Sequence, residues 1–124
     1  MPNITAAIDT LRQQINSRSK NKILILASTI ADYQRSDCWE QIYAEFLHQQ
    51  LLSLGYTTML LAIAANKTLI SLEFADQLPN SFKILHQLSF LNQNQLKSAI
   101  EAGIVEKTMS LTTAKKLRHN LTGA

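Results

Sequence analysis

Apolar residues recur at spacings of three and four along most of the chain, which is the pattern of α-helices with one buried face. The first such stripe is formed by Ile4, Ile8, Leu11 and Ile15, and a polar segment follows it at residues 16–22. We therefore expect a first helix within residues 1–20, at the periphery of the fold, and a short linker after it.

Two apolar segments fit more than one secondary structure. The β-branched and leucine residues of segment 23–30 could form a buried strand, but they also fit one face of a helix. Segment 57–64 is apolar on nearly all sides and leaves the same choice. We favour helix for both, because the flanking segments have helical patterns. A βαβ unit that pairs residues 22–28 with 57–64 is the alternative.

The strongest helix pattern begins after residue 37. Asp37 and Glu40 have the spacing of a capping box, in which each side chain accepts a free backbone N–H at the start of a helix. A long apolar stripe starts at Trp39, and Gly55 stands where this helix could end in a left-handed residue. Thr57 would then cap the next helix.

Start and stop signals divide the last third of the chain into three short helices. The first begins after Pro79, with Asn80 or Ser81 as its candidate N-cap. The second has Asn92 as a candidate N-cap, with Gln95 at the capping-box position and Gly103 where the helix can end. Thr108 or Ser110 can start the third.

The composition fits one helical domain. A chain of 124 residues with 46% hydrophobic and 17% charged residues has the size and balance of a single globular domain. Three Gly and two Pro are few for a fold rich in strands and turns. We predict that residues 1–124 form one all-α domain, a bundle of six or seven helices.

The sequence also bears on cellular location. No run approaches the ~18 apolar residues of a membrane span. The single cysteine, Cys38, excludes an internal disulfide and fits a reducing compartment. We expect a cytoplasmic protein that does not enter a membrane.

No pattern of a catalytic or metal site stands out. The three histidines, His48, His86 and His119, have no second ligand at the close spacing that metal sites normally show. Cys38 has no base that the sequence can place beside it. The glycines are isolated, so there is no phosphate-binding loop. We expect no enzymatic activity, no cofactor and no metal.

Two basic clusters supply the functional hint in a chain of net charge +3. Cations that converge on one face bind phosphates and make that binding sensitive to salt. A solvated polar face is the simpler alternative for either cluster. The candidate nucleic-acid-binding residues are Arg18, Lys20 and Lys22 in the first cluster, and Lys107, Lys115, Lys116 and Arg118 in the second.

Residues 46–65 can be laid onto a helix-turn-helix motif, with Gly55 in the turn. A recognition helix needs outward polar side chains near its N-terminal end to reach base edges. Only Thr58 meets that requirement here, whereas Met59 and Ile63 are apolar. We therefore predict a helix-turn-helix-like core whose two helices form a buried hairpin and do not read bases.

The last third carries an ordered set of short motifs. It has an L-P-x-S-aromatic start at residues 78–82, a helix ending in Gly103 and Ile104, and a Thr-Met-Ser step at 108–110 before a helix of small residues. In this order it resembles the C-terminal half of small, mostly uncharacterised phage and plasmid proteins. It is also loosely similar to the helical DNA-binding domains of partition proteins. The resemblance implies a helical fold and a mobile-element origin.

We predict a non-enzymatic phage or mobile-element protein that binds nucleic acid or a nucleoprotein complex through its basic clusters. The alternative is a protein-binding inhibitor or adaptor that acts on a host complex, for example an anti-CRISPR-like anti-defence protein. In that case the apolar segment 59–65 could form part of an interface, including one between two copies of the chain. A small-molecule enzyme is a third hypothesis and depends on the βαβ alternative.

Overall fold

The computed structural model describes residues 4–18, 21–71 and 73–123, which contain eight α-helices and no strand. A short 3-10 helix at Ala75–Gln77 precedes the sixth. The helices are α1 (Ile4–Ile15), α2 (Lys22–Gln34), α3 (Trp39–His48), α4 (Leu54–Ala65), α5 (Lys67–Ile70), α6 (Phe82–Leu88), α7 (Gln93–Glu101) and α8 (Leu111–Thr122).

The predicted all-α class is confirmed, and the predicted count of six or seven helices is wrong. Asn66 separates the short α5 from α4, so one expected helical stretch is two helices. Segments 22–28 and 57–64 are helical, as favoured, and the βαβ alternative is wrong.

The start signals of the last two helices act as predicted, whereas Ser81 holds the N-cap position of α6 without a side-chain hydrogen bond to the helix. The side chains of Asn92 and Gln95 form both hydrogen bonds of a capping box at the start of α7. The backbone of Gly103 is left-handed, with φ +76°, directly after that helix. Ser110 caps α8 by accepting the N–H of Thr113 at 3.1 Å.

The start of α3 differs from the prediction. The helix begins at Trp39, Cys38 holds the N-cap position, and no side chain caps the helix. The capping box expected from Asp37 and Glu40 is therefore wrong.

The step from α3 to α4 also differs. The left-handed residue is Gln50, with φ 56°. Its N–H donates to Leu47, and the next N–H donates to Phe46, which is a Schellman motif. The hydroxyl of Ser53 accepts the N–H of Tyr56, so α4 starts before Thr57 and includes Gly55 in its first turn. The expected roles of Gly55 and Thr57 are wrong because Ser53 offers a cap one turn earlier.

One continuous hydrophobic core runs through the described helices. Helix α2 packs against α1, α3, α4 and α5, and α4 connects this group to α6. Helix α6 packs on α8, and α7 packs on α5. Although α1 was expected at the periphery, it buries Ala7, Ile8 and Leu11 in the core.

The helix-turn-helix-like core is not confirmed. Helix α4 packs mainly against α2 and α6, while α3 packs against α1 and α2. Within segment 59–65 of α4, Leu60, Ile63 and Ala64 are buried. Met59, Leu61 and Ala62 are half-buried, and Ala65 is exposed.

Candidate nucleic-acid interface

Helix α8 carries three of the predicted cationic residues. Lys115 and Lys116 are exposed, while Arg118 is half-buried. Within the described ranges, none of the three has an ion-pair partner. Lys115 precedes Arg118 by one helical turn, so their side chains occupy neighbouring positions on the helix surface.

Arg118 connects α8 to α6. Its Nη1 donates a hydrogen bond to Oε1 of Gln87 at 3.1 Å. Its guanidinium carbon lies 3.5 Å from the centre of the Phe90 ring, within the range of a cation–π contact. Phe90 remains 45% exposed despite this contact. Arg118 therefore holds an exposed aromatic ring against α8, the helix that carries Lys115 and Lys116.

His86 completes this group of side chains. Its ring meets the Phe90 ring edge-on, with the ring centres 5.1 Å apart. Burial lowers the pKa of His86, and the positive charge of Arg118 lowers it further, because both disfavour the protonated ring. His86 is therefore more often neutral near neutral pH than an unperturbed histidine.

The first basic cluster lies elsewhere. Arg18 is exposed just after α1, and Lys20 lies outside the described residues. Lys22, the first residue of α2, lines a cleft of about 270 Å³ that Ser53 and Tyr56 also line. Burial raises the pKa of Tyr56, so its hydroxyl stays neutral. None of the described contacts brings this cluster to α8.

Lys107 is also separated from the cations of α8. It lines a cleft of about 260 Å³ with Asp76, Leu78 and Asn80, ahead of the start of α8. Arg118 stands roughly 10 Å further along the helix than Leu111, given the rise of 1.5 Å per residue. The carboxylate of Asp76 in the same cleft offsets part of the positive charge of Lys107.

A further cationic site was missed by the sequence prediction. Lys67, Thr68, Ser71, Glu73, Gln93 and Lys97 line a cleft of about 270 Å³ between α5 and α7, which we call the Lys67–Lys97 cleft. In the described part of the chain, neither lysine has an ion-pair partner. No spacing in the sequence indicates this pairing, since the two lysines lie far apart in the sequence and the fold brings α5 against α7.

Asn66 fixes the geometry beside this cleft. Its Oδ1 accepts the N–H of Leu69 at 3.2 Å and so caps α5. Its Nδ2 donates to the carbonyl of Ser89 at 3.3 Å and to that of Leu91 at 3.0 Å. One side chain thus joins the start of α5 to the turn that leads from α6 into α7.

A groove between α7 and α8 has a different character. Its volume is about 460 Å³, and its lining is mostly apolar. Two of its apolar side chains, Ile104 at 49% and Leu121 at 39%, are well exposed. The lining residues are Asn94, Gln95, Ser98, Ala99, Ala102, Ile104, Leu117 and Leu121.

The described residues contain neither a metal-ligand cluster nor a membrane-spanning helix. No three His, Cys, Asp or Glu side chains lie together as metal ligands there. None of the helices in those ranges combines the length and apolar character needed to cross a membrane.

Comparison of the chain with protein-family models, curated proteins and solved structures found no match. The resemblance to phage and plasmid proteins therefore stays a prediction.

Proposed function

We propose that this protein binds nucleic acid without catalysing a reaction, and that its main contact is the surface formed by Lys115, Lys116, Arg118 and Phe90. We call this the α8–Phe90 surface. An origin in a phage or other mobile element and action in the cytoplasm belong to the same proposal.

The observation that carries the proposal is an exposed aromatic ring held by Arg118 of α8, the helix that also carries the exposed Lys115 and Lys116. Lys115 and Lys116 are exposed without an ion-pair partner in the described ranges, so each is available to replace a counterion on a phosphate. Phe90 can stack on an unpaired base, and the guanidinium of Arg118 holds its ring in place. Stacking accepts any base, so we expect binding that favours single strands and has little sequence specificity.

The step from α3 to α4 has no part in this proposal. Leu54, at 65% exposed, Gly55 and Thr58 are the exposed residues among the first five of α4. None of them has the paired donors and acceptors with which Arg, Asn or Gln read base edges.

The test is a titration of labelled single-stranded and duplex DNA of random sequence at about 50 mM and about 200 mM salt. We expect tighter binding to the single strand and a steep loss at the higher salt. The salt slope is the steepness with which the logarithm of the binding constant falls with the logarithm of the salt concentration. In Lys115→Gln/Lys116→Gln, the salt slope on single strands should fall by about 0.7 for each phosphate that the variant no longer neutralises. Phe90→Leu should weaken binding to single strands about 5-fold or more, with little change of slope.

A matched control is Arg12→Gln/Arg35→Gln. It removes the same number of positive charges, but both of these arginines already pair with a carboxylate, Asp9 or Asp32. We expect the control to keep most of the affinity. Absence of binding at low salt, or an equal loss in the control and the test variant, contradicts the proposal.

A second candidate function is a protein-binding inhibitor or adaptor, favoured by the apolar groove between α7 and α8. Exposed Ile104 and Leu121 beside an open apolar lining are typical of a surface that takes up a partner helix. Ile104→Glu should then abolish capture of a host protein, while Phe90→Leu should not. If Phe90→Leu abolishes capture and Ile104→Glu does not, this candidate is wrong. Loss of nucleic-acid binding in Ile104→Glu also argues against it.

A further inference from the structure

Lys67 and Lys97 both line one cleft of about 270 Å³. Lys67 is exposed and Lys97 half-buried, and the cleft is otherwise lined by hydroxyl, amide and carboxylate side chains. Two like charges that share a cleft destabilise each other unless an anion lies between them. Glu73 is the acid of this lining, and it forms an ion pair with neither lysine. The cleft therefore has the charge and donors to receive an added anion.

The cleft is positioned before any ligand binds. Lys67 directly follows Asn66, whose side chain caps α5 and holds the turn before α7 through the carbonyls of Ser89 and Leu91. The first residue of α7, Gln93, lines the same cleft. The two walls are thus joined by hydrogen bonds as well as by packing, which lowers the cost of ordering side chains around a ligand.

The cleft also lies close to the α8–Phe90 surface along the chain. Phe90 and Gln93 are joined by three peptide units, so their Cα atoms are at most about 11 Å apart. At 3.4 Å per nucleotide along one strand of a helix, that corresponds to about three nucleotides. A strand stacked on Phe90 can therefore reach Gln93, in the lining of the cleft, within about three nucleotides.

We propose that the Lys67–Lys97 cleft binds a backbone phosphate of the nucleic-acid strand that stacks on Phe90. This inference rests on the proposed function, because the phosphate comes from the same ligand. Lys67 and Lys97 supply the positive charge, while Thr68 and Gln93 supply neutral donors. The bound strand then runs from α8 across the turn between α6 and α7.

The test compares Lys67→Gln/Lys97→Gln with wild type and with Lys115→Gln/Lys116→Gln on the same single-stranded DNA. We expect the cleft variant to weaken binding at low salt and to lower the salt slope by about 0.7 for each phosphate that it no longer neutralises. Arg12→Gln/Arg35→Gln again controls for net charge. Circular dichroism and urea unfolding verify that each variant is folded.

A gain of affinity provides a second test that damage to the fold cannot mimic. Glu73→Gln removes the carboxylate from the cleft and should tighten binding about 2- to 5-fold, since a unit charge a few ångströms from a phosphate is worth that much in water. The same substitution in Lys67→Gln/Lys97→Gln should give a smaller gain. Unchanged affinity in Glu73→Gln overturns the inference.

The outcomes separate the two proposals. If wild type binds and only the α8 variant weakens binding, the cleft is not part of the interface, and the proposed function stands. If wild type does not bind, both proposals fail. If inorganic phosphate shifts the amide resonances of Thr68, Ser71 and Gln93 while the cleft variant keeps full DNA affinity, the cleft takes free phosphate and the inference is wrong.

Discussion

Replacing Asn66 by aspartate should destabilise the fold even though aspartate is as good an N-cap as asparagine. The aspartate keeps the bond to the N–H of Leu69, and its charge adds about 0.3–1 kcal/mol at the start of a helix. It loses both donations to the carbonyls of Ser89 and Leu91, and its negative oxygen faces them instead.

The magnitude follows from the three hydrogen bonds. Each donation from Nδ2 contributes about 0.5–1.5 kcal/mol net, and the cap contributes about 1 kcal/mol. Asn66→Ala loses all three and should lower the free energy of unfolding by about 2–4 kcal/mol. Asn66→Asp keeps the cap and should lower it by about 1–3 kcal/mol.

Asn92 provides the matched control. It caps α7 in the same way, but its hydrogen bonds stay within its own capping box. Asn92→Asp should therefore leave the free energy of unfolding within about 0.5 kcal/mol of wild type.

The assay is urea unfolding followed by Trp39 fluorescence and by circular dichroism. With a slope of about 1–3 kcal/mol per molar urea, a loss of 2 kcal/mol moves the midpoint by roughly 1 M. If Asn66→Asp unfolds at the same urea concentration as Asn92→Asp, the two long-range bonds contribute nothing. Asn66 is then not the residue that positions the cleft.

Three further predictions concern single residues. Gln50→Gly should raise the free energy of unfolding by about 0.5–1 kcal/mol in the same assay, since it relieves a left-handed backbone with φ 56°; Gln50→Ala should not. Arg118→Gln should lower the free energy of unfolding by about 1–2 kcal/mol, because it loses the hydrogen bond to Gln87 and the cation–π interaction with Phe90. Lys116→Gln should change that free energy by less than about 0.5 kcal/mol. Because the pKa of His86 in the folded protein is below its ordinary 6.5, the unfolded chain binds the proton more tightly than the folded one. The free energy of unfolding should therefore fall as the pH drops through 6.5 towards the folded-state pKa, and His86→Gln should flatten that dependence.

Some signals confined to a few neighbouring residues were predicted correctly, although the equally local capping box of Asp37 and Glu40 was not. The capping box of Asn92 and Gln95 and the left-handed Gly103 both need only residues within one turn, so the sequence contains everything that determines them. Helix at 22–28 was harder to predict because burial removes the polar face that shows the period. Packing in the folded chain stabilises the helix in this segment, since α2 packs against four other helices.

Competition between nearby signals explains the errors around residue 50. Gly55 is the better left-handed residue by intrinsic preference. Ser53, however, caps the next helix by accepting the N–H of Tyr56, and this requires α3 to end before it. The left-handed position then falls on Gln50, where the turn is accompanied by backbone strain. Two caps that share a short connection cannot be ranked from propensities one residue at a time.

The candidate site was less predictable than the fold because its chemistry depends on which side chains meet. Arg118 was predicted to be a surface cation from its neighbours in sequence, but its hydrogen bond and ring contact are to α6. Lys67 and Lys97 were not predicted, since neither lies in a run of basic residues. Charge density along the chain therefore overestimates the role of cations that the fold uses for support. It also misses pairs of cations that helix packing brings together, such as Lys67 and Lys97. Neutralising or reversing the charge at each position distinguishes cations that bind a ligand from cations that support the fold.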